Sequence, residues 1–328
     1  MILTELVPGA IVASAVAPAL LLLWFVVVAD SRPEPPRLVW TAVILGALSV
    51  IPVGLSEVWL LHIPLIRNPW LAVDVSTLLF VGIPEETVKI SLIAVIALRA
   101  RDFDEPMDGV VYGTAVGLGF AAVENLSYLM AAGPNWEITA ITRGVLSVPG
   151  HASYGAIAGA YIARARFGGA LGARSRWRRP RLLLSAWLIP VVLHTLFDAS
   201  LLSLPNANTN TTKGVVEASL LVLTTLVVGF GTIAFAVLLA RRIARRQKEW
   251  LQTKRLPPAH WRAVWARCLI GVGLSFVALT LLIAGNAGVD IAGWILLVVA
   301  VGISWKCGRY LKEAAKQRHR SLAAAPAA

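Results

Sequence analysis

The sequence predicts an all-α, polytopic integral membrane bundle of about nine transmembrane helices, and three observations predict it. The 328 residues are 57% hydrophobic and only 15% charged, with mean hydropathy +0.73, outside the usual balance of soluble domains. Apolar segments close to the length that crosses lipid recur along the chain. The basic residues behind the net charge of +12 fall in short stretches between those segments. Such spacing is the mark of a cytoplasmic charge bias, not of a nucleic-acid surface, and no nucleic-acid partner is expected.

In chain order the expected spans are 8–29, 38–58, 71–99, 108–132, 137–163, 182–204, 214–240, 266–285 and 290–306. The first is longer than the apolar core of a signal peptide and is preceded by Glu5 rather than a basic residue, so it reads as a retained span. Segment 71–99 is long for one crossing and contains Gly82-Ile83-Pro84. Proline removes a backbone donor and restricts the residue before it, so a broken helix is expected, with Pro84 opening its second half. A re-entrant hairpin over 71–82 is the alternative, and it would reverse the amino terminus.

Orientation follows from the loops. Arg164, Arg166, Arg174, Arg176, Arg178, Arg179 and Arg181 crowd one loop, and Arg241, Arg242, Arg245, Arg246, Lys248, Lys254 and Arg255 another. Both should be cytoplasmic, whereas the loops at 133–136 and 205–214, nearly free of Lys and Arg, should face outside. Alternation then puts the amino terminus outside and the basic carboxyl terminus inside the cytoplasm. Trp40, Trp59, Trp70, Trp136, Trp250, Trp261, Trp265 and Trp305 sit near span ends, where indole rings anchor at the headgroups. Cys268 and Cys307 match no disulfide or metal spacing. No internal repeat is visible.

Ionisable groups inside a span cost several kcal/mol unless they face a partner or water. Here they are Asp74, Glu85, Glu86, Lys89, Glu124, Arg143, His151, His194, Asp198 and Glu217, joined by Asn125. Glu85-Glu86-x-x-Lys89 follows the Pro84 break; the i,i+4 spacing sets Lys89 over Glu85, with Glu86 pointing elsewhere around the helix. Paired buried carboxylates suit general-base chemistry, since repulsion favours one proton on the pair while a lysine keeps the other group ionised. A simpler reading is acidic residues complementing a helix N-terminus, which the mid-span position disfavours.

Phe120-x-x-x-Glu124-Asn125 lies in a helix whose Gly113, Gly117 and Gly119 bare one face for close packing. There the simpler reading is interhelical hydrogen bonding that only holds the bundle. His151 follows Pro149-Gly150 and precedes Gly155-x-x-x-Gly159, and a lone histidine there is more often a satisfied core residue. His194-x-x-x-Asp198 puts an imidazole and a carboxylate on one helix face, so the carboxylate can orient the ring or join it as a second ligand. Glu85, His151 and His194 fall near the middle of their spans and Glu124 slightly outward. Four helices can therefore bring these groups into one cavity.

In this order, the four motifs and Asp108-Gly109-Val110-Val111-Tyr112-Gly113 resemble the PrsW family of intramembrane proteases, distant relatives of the CAAX prenyl proteases. The resemblance covers roughly residues 69–200 and divides the chain into N-terminal spans (1–68), a catalytic core (69–204) and C-terminal accessory spans with a basic loop and tail (205–328). It implies an endopeptidase in the lipid bilayer acting on a membrane protein or membrane-anchored peptide, such as an anti-sigma factor. CAAX-type relatives carry His in the second motif and Asn at the end of the last; Glu124 and Asp198 stand there in this chain, which points away from prenyl-protein specificity.

The mechanism expected has Glu85 or Glu86 activating water, with His151 and His194 either binding a divalent metal or stabilising the oxyanion. Glu124 and Asp198 would orient these groups or complete the ligand set, His151, His194 and Glu124 being the candidate metal ligands. Lys89, Phe120 and Asn125 would support. Two histidines with carboxylates suit Zn²⁺ with an open water position; a glutamate–histidine mechanism needs no metal, and both stay open. A proton-coupled transporter with a buried Glu/His/Asp relay is the rival from another class. It predicts repeated halves and a polar route through the whole membrane, where the sequence shows polar groups at one depth.

Overall fold

In lipid a backbone satisfies its own polar groups only as a helix or a closed barrel, and all regular structure among the described residues is helical. The computed structural model describes residues 2–30, 32, 34–60, 75–168 and 178–254. The expected spans 266–285 and 290–306 with their cysteines, Asp74, the start of segment 71–99, and Trp70, Trp261, Trp265 and Trp305 lie outside the described residues.

The helices are α1 (Ile2–Ala29), α2 (Pro36–Leu60), α3 (Ile83–Arg99), α4 (Pro106–Ala131), α5 (Trp136–Thr142), α6 (Val148–Arg166), α7 (Arg178–Ser203) and α8 (Thr212–Lys254). Five of them, α1, α2, α4, α7 and α8, are long and apolar enough to cross a membrane. Their burial separates centre from periphery: the apolar window of α4 is 89% buried and that of α1 only 22%. Large side chains such as Phe25, Ile51, Leu55, Leu223 and Val227 are accordingly exposed on α1, α2 and α8, an apolar surface suited to acyl chains and not to water.

Of the remaining helices, α5 and α3 are short, with 7 and 17 residues, and α3 and α6 carry the Glu85-Glu86-x-x-Lys89 and His151 motifs, so length and hydropathy pass them over. A π turn at Leu78–Gly82 runs directly into α3, and a second at Arg143–Ser147 joins α5 to α6. Each ends two residues before a proline, Pro84 or Pro149. The residue added in a π turn widens the helix where a proline ring would otherwise strike the preceding carbonyl. Thr77, Gly82 and Ile83 all keep right-handed helical angles. The break expected at Gly82-Ile83-Pro84 is therefore a bulge in a continuing helix, and the described part of the alternative hairpin, 75–82, makes no reversal.

The small-residue stripes of α4 and α6 meet antiparallel. A Cβ on Gly113 would collide with the carbonyl of Gly155, one on Gly155 with that of Gly113, and one on Gly117 with that of His151. Backbones this close bring His151 against the C-terminal half of α4, where Phe120 and Glu124 stand. On its other face α4 meets α2, with Gly119 against the Val43 carbonyl.

Candidate active site

The two proline-marked π turns each deliver a motif. Pro84 is followed at once by Glu85 and Glu86, and Pro149-Gly150 by His151, consistent with the frequent placement of π bulges at functional sites. Facing them are Glu124 from α4 and His194 and Asp198 from α7. The rings of His151 and His194 lie 5.1 Å apart and nearly perpendicular, so the motifs share one site.

Lys89 occupies its centre. Its Nζ lies 2.6 Å from Glu86 Oε1, 3.1 Å from Glu85 Oε2 and 3.1 Å from His151 Nδ1, and 4.3 Å from the centroid of the Phe120 ring, whose π face attracts a cation. The expectation that Glu86 points away from Lys89 is thereby corrected. Positions i and i+3 are also helix neighbours, and Glu86 makes the shorter contact of the two.

Around this centre each histidine has both ring nitrogens engaged. His151 Nδ1 accepts from Lys89, which leaves Nε2 to donate to Glu124 Oε2 at 2.8 Å. His194 Nδ1 lies 2.8 Å from Glu86 Oε1 and its Nε2 3.1 Å from Asp198 Oδ2. Because an ionised carboxylate only accepts, a proton on either His194 nitrogen is directed at one of these two groups. Tyr154 stacks on the His194 ring at 4.8 Å between centroids, fixing its plane. Arg143 joins beside Glu124: Nη2 donates to Glu124 Oε2 at 2.7 Å and Nε to Asn125 Oδ1 at 2.7 Å.

A cavity of about 420 Å³ opens onto this network. Glu85, Phe120, Glu124, His151, His194 and Asp198 line it, whereas Glu86, Lys89 and Asn125 stand behind that wall. Exposure follows the same gradient: the Glu85 and Glu86 side chains are 4% and 1% accessible, and Asp198 is 25%. Glu217 is not part of the cavity wall.

Arg143, Glu57 and Tyr154 were not singled out from sequence as site residues. Arg143 counted only as a charge inside a span, and no spacing rule links it to Glu124 across 19 positions. Glu57 of α2 also lines the cavity. Near the end of its span, beside Trp59, it reads as an interfacial residue; a closer weighing of acidic groups beside aromatic anchors was the signal available.

Glu85, Glu86, His151 and His194 each bring a donor atom within 4.8 Å of the others, a group that could hold a metal ion. In donor chemistry the set suits zinc. As arranged it does not fit one. Metal-ligating histidine gives one nitrogen to the metal and keeps the other for a hydrogen bond, but here all four ring nitrogens already face protein groups and the Lys89 ammonium contacts three of the four donor residues.

A helical membrane bundle that buries paired glutamates with two histidines beside a cavity defines a class, the hydrolases that work inside the bilayer. The model of the PrsW family of intramembrane metalloproteases matches residues 34–240, and the chain belongs to that family. Among its relatives, Protease PrsW of Halalkalibacterium halodurans is 34% identical over 190 residues, 58% of this chain and 82% of the relative. The Geobacillus kaustophilus protein is 32% identical over 194 residues, covering 59% and 80%. That of Bacillus subtilis is 32% identical over 198 residues, covering 60% and 85%. No solved structure matches the chain. The protein is an intramembrane protease, and its substrate is membrane-embedded.

Proposed function

We propose that the protein hydrolyses a peptide bond of a membrane-anchored regulatory protein, of the kind represented by an anti-sigma factor, with Glu85 as the general base. The observation that carries the choice of base is that Glu85 lines the cavity and Glu86 does not. Glu85 accepts a proton from water as the oxygen bonds to the scissile carbonyl carbon. His151 and His194, on the same wall, stabilise the charge developing on the carbonyl oxygen once their Nε2–H groups, directed at Glu124 and Asp198 in the resting site, turn toward it. Collapse of the tetrahedral intermediate breaks the C–N bond, and the proton held by Glu85 passes to the departing amine. Glu124 orients His151; Glu86 and Asp198 hold His194 from its two sides.

The same reading treats residues 69–204 as the catalytic core, assisted by α2, which adds Val53, Gly54 and Glu57 to the cavity wall. The amino terminus lies outside and the arginine-rich helix ends, including Arg164, Arg166, Arg241 and Arg242, lie in the cytoplasm. The cavity then faces the outer leaflet, since Tyr128 and Leu202 near its rim belong to the opposite helix ends.

The test is cleavage of a membrane-anchored reporter by the reconstituted full-length chain. Glu85→Gln is expected to lower turnover by about 10²-fold or more without changing the melting temperature greatly. A Glu85→Gln protein that cleaves at the wild-type rate would remove Glu85 as the base.

A further inference from the structure

The family's metal and the Lys89 side chain compete for one place. A zinc ion among Glu85, Glu86, His151 and His194 would lie about 2.0–2.2 Å from each donor atom. The Lys89 Nζ already sits among them, 2.6 Å from Glu86, 3.1 Å from Glu85 and 3.1 Å from His151 Nδ1. The lysine is fully buried and rests on the Phe120 ring at 4.3 Å, so it has packing as well as charge to hold it there. Two cations cannot share that space, and neither histidine keeps a nitrogen for a metal while its present partners stay.

We propose that Lys89 is the resident cation of this site. Its ammonium takes the position and the charge-balancing part of a divalent ion, and in doing so excludes one. Three consequences follow from the contacts. Glu86 is held as an anion between the Lys89 ammonium and the His194 ring. His151 is fixed in the tautomer that accepts from Lys89 and donates to Glu124. Glu85, the longer-held carboxylate of the pair, keeps the freedom to take a proton. Lys89 touches no substrate from behind the cavity wall, so it is a positioning residue. The proposal rests on the Glu85 reading for its functional meaning and on geometry alone for the exclusion of metal.

The test is zinc stoichiometry on the full-length chain purified in detergent, with reporter cleavage and melting temperature measured beside it. After exposure to zinc and washing, wild type is expected to retain far less than one zinc per chain, and its cleavage to survive 1,10-phenanthroline. Lys89→Met keeps an unbranched stem and removes the charge; it is expected to take up about one zinc per chain, as four-donor sites of this kind do, and Lys89→Met with His194→Ala to lose it. One zinc per wild-type chain that His194→Ala removes would overturn the proposal. So would a folded Lys89→Met chain that binds no more zinc than wild type. Should Lys89→Met not fold, the wild-type count and its chelator response decide. Zinc counts do not depend on cleavage, so failure of the Glu85 reading would leave them standing and the two ideas fail separately.

Discussion

Arg143 and Glu124 meet at 2.7 Å, Nη2 to Oε2, and the same Oε2 lies 2.8 Å from His151 Nε2. One carboxylate oxygen thus couples a guanidinium from the π turn to a cavity-lining imidazole four residues past that turn's end. Arg143 is fixed in turn by Asn125 and Ser147 and covers the Tyr128 ring. Arg143→Ala should lower kcat by about 10–100-fold, the usual effect of removing a supporting hydrogen bond behind a reactive group, while KM moves little. Lysine at this position keeps a charge for Glu124 but loses the fork that also reaches Asn125, so Arg143→Lys should fall between. Steady-state cleavage of a reporter separates the two constants; an unchanged kcat in Arg143→Ala would show that Glu124 needs no such support.

How far the site could be seen beforehand follows from the physics of each residue. Charged groups in apolar spans stand out by type alone, which made Glu85, Glu86, Glu124, His151, His194 and Asp198 visible one by one. The glycine stripes also marked two helices as suited to close packing without naming the partner, and Gly113 and Gly155 meet each other. Side-chain direction was less legible. Glu86 reaches Lys89 because a buried lysine draws both neighbouring carboxylates. The π turns were hidden because prolines announce only that the helix must adjust. Glu57 and Arg143 needed tertiary partners from other helices to acquire meaning. Cavity lining, which separates Glu85 from Glu86, is a property of the assembled bundle.

The antiparallel contact of α4 with α6 carries its own expectation. Gly155 faces the Gly113 backbone with no room for a side chain, and the obstructing atoms are main chain, which cannot rotate away. Gly155→Leu should destabilise the protein by at least the few kcal/mol typical of overpacking and abolish cleavage by pushing His151 from Glu124. Gly231→Leu, at a position with open space around it, is the matched control. Melting curves in detergent should drop for the first variant alone; equal curves would contradict the close approach.

At the opposite end of the bundle, Glu34 accepts from the Tyr112 hydroxyl in the connection between α1 and α2. Burial pushes its carboxyl well above the ordinary value; the Tyr112 and Asp108 contacts oppose that shift, and the Asp30 and Asp104 charges add to it. The folded form therefore holds this proton more tightly than the unfolded chain. The resulting stability is complete below the unfolded value of about 4.3 and is lost as pH rises through the raised folded value. Glu34→Gln keeps an acceptor for Tyr112 and cannot ionise, so its melting temperature should fall less than that of wild type between mildly acid and alkaline pH. Parallel pH profiles for the two proteins would refute the assignment.

The cavity wall contributed by α2 offers a way to block the substrate without touching the chemistry. Gly54 lines the cavity, and a Cβ there would meet nothing within 4 Å, so a larger side chain projects into empty space instead of into packed helix. Gly54→Phe should leave the melting temperature near that of wild type, because no neighbour is displaced. It should raise KM or abolish cleavage of a membrane-anchored reporter, because the ring would occupy part of a space of only about 420 Å³. Gly54→Ala, adding a single methyl group, should remain close to wild type. If Gly54→Phe cleaves as wild type does, the peptide reaches Glu85 by a path that avoids the α2 side, and the opening must be sought between α5 and α7 instead.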